Sequence, residues 1–247
     1  MSGRDRFLGA LAGEGLAFAP IVWERLPALV HQEQADWWRD PTVGQRLIGD
    51  AAALAGADAM FVFVAADTVR AAASAGERGV AALDALSRSE SARSGAELLR
   101  SLRAAAPYAV IAAVPSPGTI QRELGVPGEE SEAAEDAFTD FVSSHLEAGA
   151  DSIAVTGADP LELGAAMDRA VRLVELFGRK LLAVCREGDE TKAWDEQGEP
   201  LRVISCEGEW PDEAAGIVIT PGDVSARWDA ARLRSVGTRR PAGTSSP

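Results

Sequence analysis

Arg25, Asp67, Cys185 and Arg186 carry the chemistry this sequence could perform. Each falls at or just past the C-terminal end of a segment that reads as a β-strand. A guanidinium is permanently charged and presents a planar fork that matches carboxylates. Arg25 and Arg186 are therefore candidate anion clamps, set against a surface pair of Arg25 with Glu24 and a solvated loop charge at Arg186. Asp67 fits an acid or electrostatic stabiliser, and equally the N-cap of a helix starting at Thr68. His31 follows the first strand near Arg25, among Gln32, Glu33 and Gln34. The Trp37–Trp38 pair could stack on a flat ligand, line a lid, or anchor its loop. His145 lies between hydrophobic helix positions and reads as structural. Cys185 and Cys206 form no disulfide framework, and two cysteines without a third evident ligand make no zinc set, so no metal is expected.

These residues need elements to hold them. The phrase Ala-Gly-Ala-Asp occurs at residues 55–58 and 148–151, each time after a helical pattern and before an apolar, β-type run. Glycine just past a helix end suits the left-handed position, and a wholly apolar strand is one buried on both faces. Helix, glycine turn and two-sided strand, repeated, is the unit of a parallel α/β protein. The pattern predicts strands at 18–23, 60–64, 108–114, 152–156 and 181–185. Helices are predicted at 4–13, 43–54, 96–105, 135–148 and 160–177, with helix and loop over 68–88 and a turn at 115–118. After these, Lys192–Cys206 reads as a hairpin about Gln197-Gly198. A late strand follows at 216–220 and a last helix at 225–235. The expected fold class is α/β, a TIM-type (β/α) barrel abbreviated or irregular in its C-terminal part, since complete barrels usually take about 250 residues. One domain over 1–237 is expected, with a polar, disordered tail at 238–247.

Composition narrows the partners. The net charge is −14 over 247 residues, which argues against nucleic acid and anionic membrane surfaces, both of which call for basic patches. An anionic small molecule remains compatible, because a few arginines can line a pocket in an acidic protein. No apolar run approaches the roughly 20 residues of a membrane span. The N-terminus lacks a signal-peptide pattern, so a cytoplasmic protein with reduced thiols is expected.

Taken in order, several segments resemble the uroporphyrinogen decarboxylase superfamily, which also holds corrinoid and cobalamin-independent methyltransferases. RDRFLGALAGEGLAFAPIVWER resembles its first helix and strand, AGADAMFVFVAAD its second strand, and YAVIAAVPSPGTIQRELG its third strand and turn. LEAGADSIAV and LLAVCREGD resemble the fourth and fifth strands, so the likeness covers roughly residues 4–188. The resemblance implies decarboxylation of acetate side chains on a tetrapyrrole, with no metal or organic cofactor. It implies that Arg25 holds substrate carboxylates; Arg186, His31 and Trp37, placed by their own positions near the same mouth, are candidate substrate-binding residues beside it. It also implies that amides and a hydroxyl at Gly118 and Thr119 face the ligand, and that Asp67 stabilises developing positive charge, although the family's aspartate aligns nearer Ala65. The family's second arginine falls on Leu29, and its late histidine has no counterpart. A homodimer is implied, as is common in the decarboxylases. The methyltransferase branch, with His-x-Cys on the fifth strand, matches only Cys185. A non-catalytic barrel binding a ligand or partner is the third reading.

Overall fold

Helix α1 (Gly3–Leu11) starts at a reciprocal cap: the Ser2 hydroxyl accepts from the Asp5 amide, and the Asp5 carboxylate accepts from the Ser2 amide. The computed structural model describes residues 1–29, 37–157, 164–187, 190–195, 200–203, 216–220, 231 and 233–235. Strand β1 (Leu16–Ala19), a 3₁₀ turn at Trp23–Arg25, the single turn α2 (Leu26–Leu29) and a second 3₁₀ turn at Trp37–Arg39 follow. Helix α3 (Pro41–Ala55) is framed by sequence. Asp40 accepts from the amides of Thr42 and Val43, proline occupies the first turn, and Gly56 closes the helix at φ 61°, as helix chemistry asks.

The middle of the chain alternates strand and helix: β2 (Ala59–Val62), α4 (Val64–Ser74), α5 (Gly79–Leu86), α6 (Glu90–Ala105), β3 (Ala109–Pro115), α7 (Pro117–Leu124), α8 (Ser131–Glu147), β4 (Ser152–Thr156), α9 (Gly164–Leu176) and β5 (Lys180–Glu187). Then come β6 (Glu190–Asp195), β7 (Arg202–Val203) and β8 (Gly216–Ile219). The strands form a five-stranded sheet, β2-β3-β4-β5-β6, and a three-stranded sheet, β1-β8-β7. Among the described strands, every ladder is parallel except that of β5 with β6.

Both faces of the strands are covered. Phe18, Met60, Val62, Val110, Val114, Ile153 and Val155 pack against the helices. The alternate residues Ala17, Ala19, Ala59, Phe61, Ala109, Ile111, Ala154, Leu182, Ile217 and Ile219 form a second core on the inner face. That core is rich in alanine, as the crowded concave side of a curled sheet requires. Helix α1 contributes Phe7 and Ala10 to it, so α1 sits beneath the sheet.

The repeated phrase explains this docking. Asp58 and Asp151, its two aspartates, are almost wholly buried. Asp151 accepts from Arg4 at 2.6 Å and from the Val110 amide at 3.1 Å. Asp58 accepts from Arg6 at 2.6 Å and from the Phe18 amide at 2.9 Å. Each aspartate thus ties α1 to a strand while satisfying that strand's backbone. The Asp58 amide also donates to the Phe18 carbonyl at 2.8 Å, so Asp58 joins the two sheets along β1 and β2.

Set beside the expectations, the structure keeps some and shifts others. The described residues show an α/β fold in which the parallel (β/α) repeat ends at β5, which pairs with antiparallel β6; a complete barrel is not what they show. The hairpin lies there and extends to an antiparallel bridge between Trp194 and Pro200, the pairing expected about Gln197-Gly198. The second strand ends at Val62, because α4 begins at once with Val64. The turn at 115–118 is the start of α7, capped by the Ser116 hydroxyl with Pro117 in the first turn. The expected tail at 238–247 and most of the last helix lie outside the described residues.

Candidate functional site

The C-terminal ends of the parallel strands converge on one cavity of about 420 Å³. Parallel strands leave their ends to be finished by loops, which is where α/β folds build sites. Ile21–Glu24 follow β1, Phe63 follows β2, and Pro115 and Thr156 end β3 and β4. Val184 and Cys185 come from β5 and Thr191 from β6. The walls are apolar at Ile21, Trp23, Phe63 and Val184, and hydroxyl-bearing at Thr119, Thr156 and Thr191. Arg70 and Arg122 stand at the rim with Glu24 and Glu123.

Gly157 sets the rim's shape. Its φ is +87°, and a Cβ there would lie 2.6 Å from the Thr119 hydroxyl. The backbone after β4 can therefore press against α7 only as glycine. Its amide donates to the Val184 carbonyl at 3.1 Å, which holds the two strand ends together. Thr119 is fixed in turn: its amide and hydroxyl both meet the Ser116 hydroxyl, at 3.3 and 3.0 Å, and Arg122 donates to its Oγ1 at 3.3 Å. The exposed Arg122 guanidinium is thus aimed across the mouth.

The residues named from sequence are distributed unevenly about this cavity. Thr119 and Cys185 line it, and Gly118 sits in the first turn of α7 next to Thr119 without lining it. Asp67 lies inside α4 and is not an N-cap; that position belongs to Phe63. Its carboxylate accepts from the Trp23 indole at 2.8 Å and pairs with Arg70 at 3.1 Å. It faces a neighbouring cleft shared with Trp37 and Trp38. Trp37 is buried with its ring 4.6 Å from that of Trp23, so it anchors its turn behind the cavity wall. Arg25 closes the 3₁₀ turn beside this wall, and Arg186 lies on β5. The side chains of both, together with all of His31 and Cys206, lie outside the described residues. Leu29, where the resemblance would place a second arginine, is a core residue.

Among the described residues no three of His, Cys, Asp and Glu stand together as metal ligands. Cys185 is not in a disulfide, but the described groups around the mouth do not make a zinc site.

The outline of the molecule, matched against solved structures, finds a counterpart. Its fold is similar to that of a methyltransferase from Methanosarcina mazei. The match has a TM-score of 0.66 and covers 97% of this chain and 98% of that one, at 11% sequence identity. At that identity the likeness shows the fold alone. No family model and no curated protein matches the chain. No helix among the described residues is long and apolar enough to cross a membrane.

Sequence reasoning missed Arg70, Arg122, Thr156, Gly157 and Thr191. Arg122 sits in the last turn of α7, and nothing in its neighbours signals that this turn borders the strand ends. A glycine directly after an apolar strand, as at Gly157, is the one local signal that pointed here.

Proposed function

We propose that this chain is a shortened barrel of the uroporphyrinogen decarboxylase-like superfamily that transfers a methyl group to or from a small anionic molecule bound at the mouth. The full-length fold likeness to a methyltransferase carries this reading. The cavity supports it by size, since it lies near the lower end of the roughly 300–1,000 Å³ of small-molecule sites. Arg122 and Arg70 would hold the anionic group, the threonine hydroxyls would orient the polar end, and Trp23 and Phe63 would exclude water. No step is assigned to zinc, because the described residues do not supply its ligands.

The decarboxylase reading stands second. Its support is the same pair of rim arginines, which suit acetate side chains. Against it, Asp67 is engaged by Trp23 and Arg70 outside the cavity, and a tetrapyrrole would have to project from the open side.

One experiment separates them. The purified protein is incubated with methylcobalamin and mercaptoacetate, following loss of the methyl–cobalt absorbance, and in parallel with uroporphyrinogen under anaerobic conditions. Methyl transfer that falls on Cys185→Ala or Arg122→Gln supports the first reading. Loss of carboxylates from uroporphyrinogen supports the second. Neither reaction would leave a ligand-binding barrel.

A further inference from the structure

Trp23, Glu24 and Arg70 line both the mouth and the outer cleft that holds Trp37 and Trp38. They form the partition between the two spaces. Trp23 follows β1, whereas Arg70 lies on α4 after β2, so the partition is assembled from two separate strand ends.

Asp67 ties these ends together from behind. It borders the outer cleft and not the mouth, and its side chain is 14% exposed. One carboxylate oxygen, Oδ2, accepts from the Trp23 indole at 2.8 Å. The other, Oδ1, meets Arg70 Nη1 at 3.1 Å, across the i,i+3 spacing that puts two residues on one helix face. The Asp67 amide donates to the Phe63 carbonyl at 3.1 Å, so the carboxylate stands on a formed first turn of α4.

Each contact constrains a group at the mouth. The indole N–H is the one polar group of the Trp23 side chain, and the residue is only 4% exposed. Without Asp67 that donor loses its partner or leaves the wall. The Trp23 ring lies 4.6 Å from that of Trp37 and 6.3 Å from that of Phe63. Those ring contacts set its depth, and the hydrogen bond sets which edge faces the mouth. Arg70 is half exposed, and its Nη2 lies 3.7 Å from Glu24. A long side chain at a rim is otherwise free to change rotamer; the carboxylate of Asp67 holds the guanidinium beside the opening.

We infer that Asp67 is a positioning residue: its two oxygens hold Trp23 as wall and Arg70 as rim, and through Arg70 it sets a preference for a methyl acceptor that carries a carboxylate beside its thiol. The inference rests on the methyl-transfer reading of the mouth. Asp67 itself touches no ligand in it.

Asparagine separates the two contacts. Its amide oxygen still accepts from the indole, while the charge that holds Arg70 is gone. Methyl transfer from methylcobalamin is followed with mercaptoacetate and with mercaptoethanol, in the wild type, Asp67→Asn, Arg70→Gln and the double variant. The inference expects Asp67→Asn to raise the KM for mercaptoacetate about threefold relative to that for mercaptoethanol, less than the roughly tenfold of Arg70→Gln, with kcat kept. In the double variant asparagine should add nothing, because the group it acts through is absent. The ¹⁵N–¹H signal of the Trp23 indole, assigned by its loss in Trp23→Phe, should stay in place in Asp67→Asn and shift in Asp67→Ala. A falling KM for mercaptoacetate overturns the inference, since the carboxylate would then only subtract charge from the mouth. So does a fall in kcat without the KM split, an asparagine effect that persists without Arg70, or an indole signal unmoved in Asp67→Ala. A wild type that methylates neither thiol fails the methyl-transfer reading itself, and the inference with it.

Discussion

Arg122 and Gly157 are the residues on which the mouth depends most directly. Arg122 is exposed and tethered only to the Thr119 hydroxyl among its described contacts, so its charge is available to a ligand. Arg122→Gln should raise the KM for anionic mercaptoacetate roughly tenfold, the worth of one charge-assisted hydrogen bond. The KM for neutral mercaptoethanol should stay unchanged, and equal effects on both acceptors would remove Arg122 from the binding role. Gly157→Ala forces an L-residue to φ +87° and drives its Cβ onto the Thr119 hydroxyl. Held positive-φ strain costs about 1–3 kcal/mol, to be read by urea unfolding, with acceptor affinity falling at the same time because Thr119 and the β4 end must separate. Little of this was legible in the sequence. Thr119 and Cys185 were, because each stands at a strand end that can be recognised locally. Arg122 was not, because its position at the mouth is fixed by how α7 packs against α4 and α8. Asp67 looked like a site residue for its place after a strand, yet α4 starts four residues earlier than Thr68 and turns its carboxylate toward Trp23 and Arg70.

At the scale of elements, the strand–helix order was legible because each β/α strand is apolar on both faces and each Ala-Gly-Ala-Asp junction marks a helix end. The aspartates within that phrase were the hidden part. Their partners, Arg4 and Arg6, lie 147 and 52 residues away in sequence, and no local pattern connects them. The pairs make α1 an integral plug beneath the inner core instead of a loose N-terminal segment. Asp58→Ala leaves Arg6 without its partner and the buried Phe18 amide without an acceptor. Breaking a pair at a buried aspartate costs about 3 kcal/mol. For a chain of this size that lowers Tm by roughly 6–12 °C, measurable by calorimetry. A drop of less than about 1 kcal/mol, at the level of surface pairs, would show that α1 docks through Phe7 and Ala10 alone. The β5–β6 hairpin was legible only in part. The Gln-Gly turn announced one antiparallel pairing, while the pairing of β6 back onto β5 required the ladder from Leu182–Asp195 to Glu187–Glu190.

For the molecule as a whole, His145 couples folding to pH. In the folded chain its pKa is lowered to about 4, because burial disfavours the imidazolium, partly offset by the Phe141 carbonyl. In the unfolded chain it titrates near 6.5. As pH falls from 7, the unfolded chain takes up a proton that the folded chain refuses, so the equilibrium moves toward unfolding. The stability held by keeping this ring neutral is complete above pH 6.5 and is lost progressively as pH falls toward 4. The loss amounts to about 3 kcal/mol over that window. The charged groups that share its cavity, Arg93 and Arg100 on one side and Glu97 and Asp140 on the other, offset one another in sign. They leave burial as the governing cause. His145→Leu removes both the titrating ring and the unpartnered nitrogen while keeping an apolar side chain at the position. Urea unfolding of the two proteins from pH 7 to pH 4 should show the wild type losing about 3 kcal/mol more than the variant. Parallel curves would mean that the ring is reached by water and titrates alike in both states.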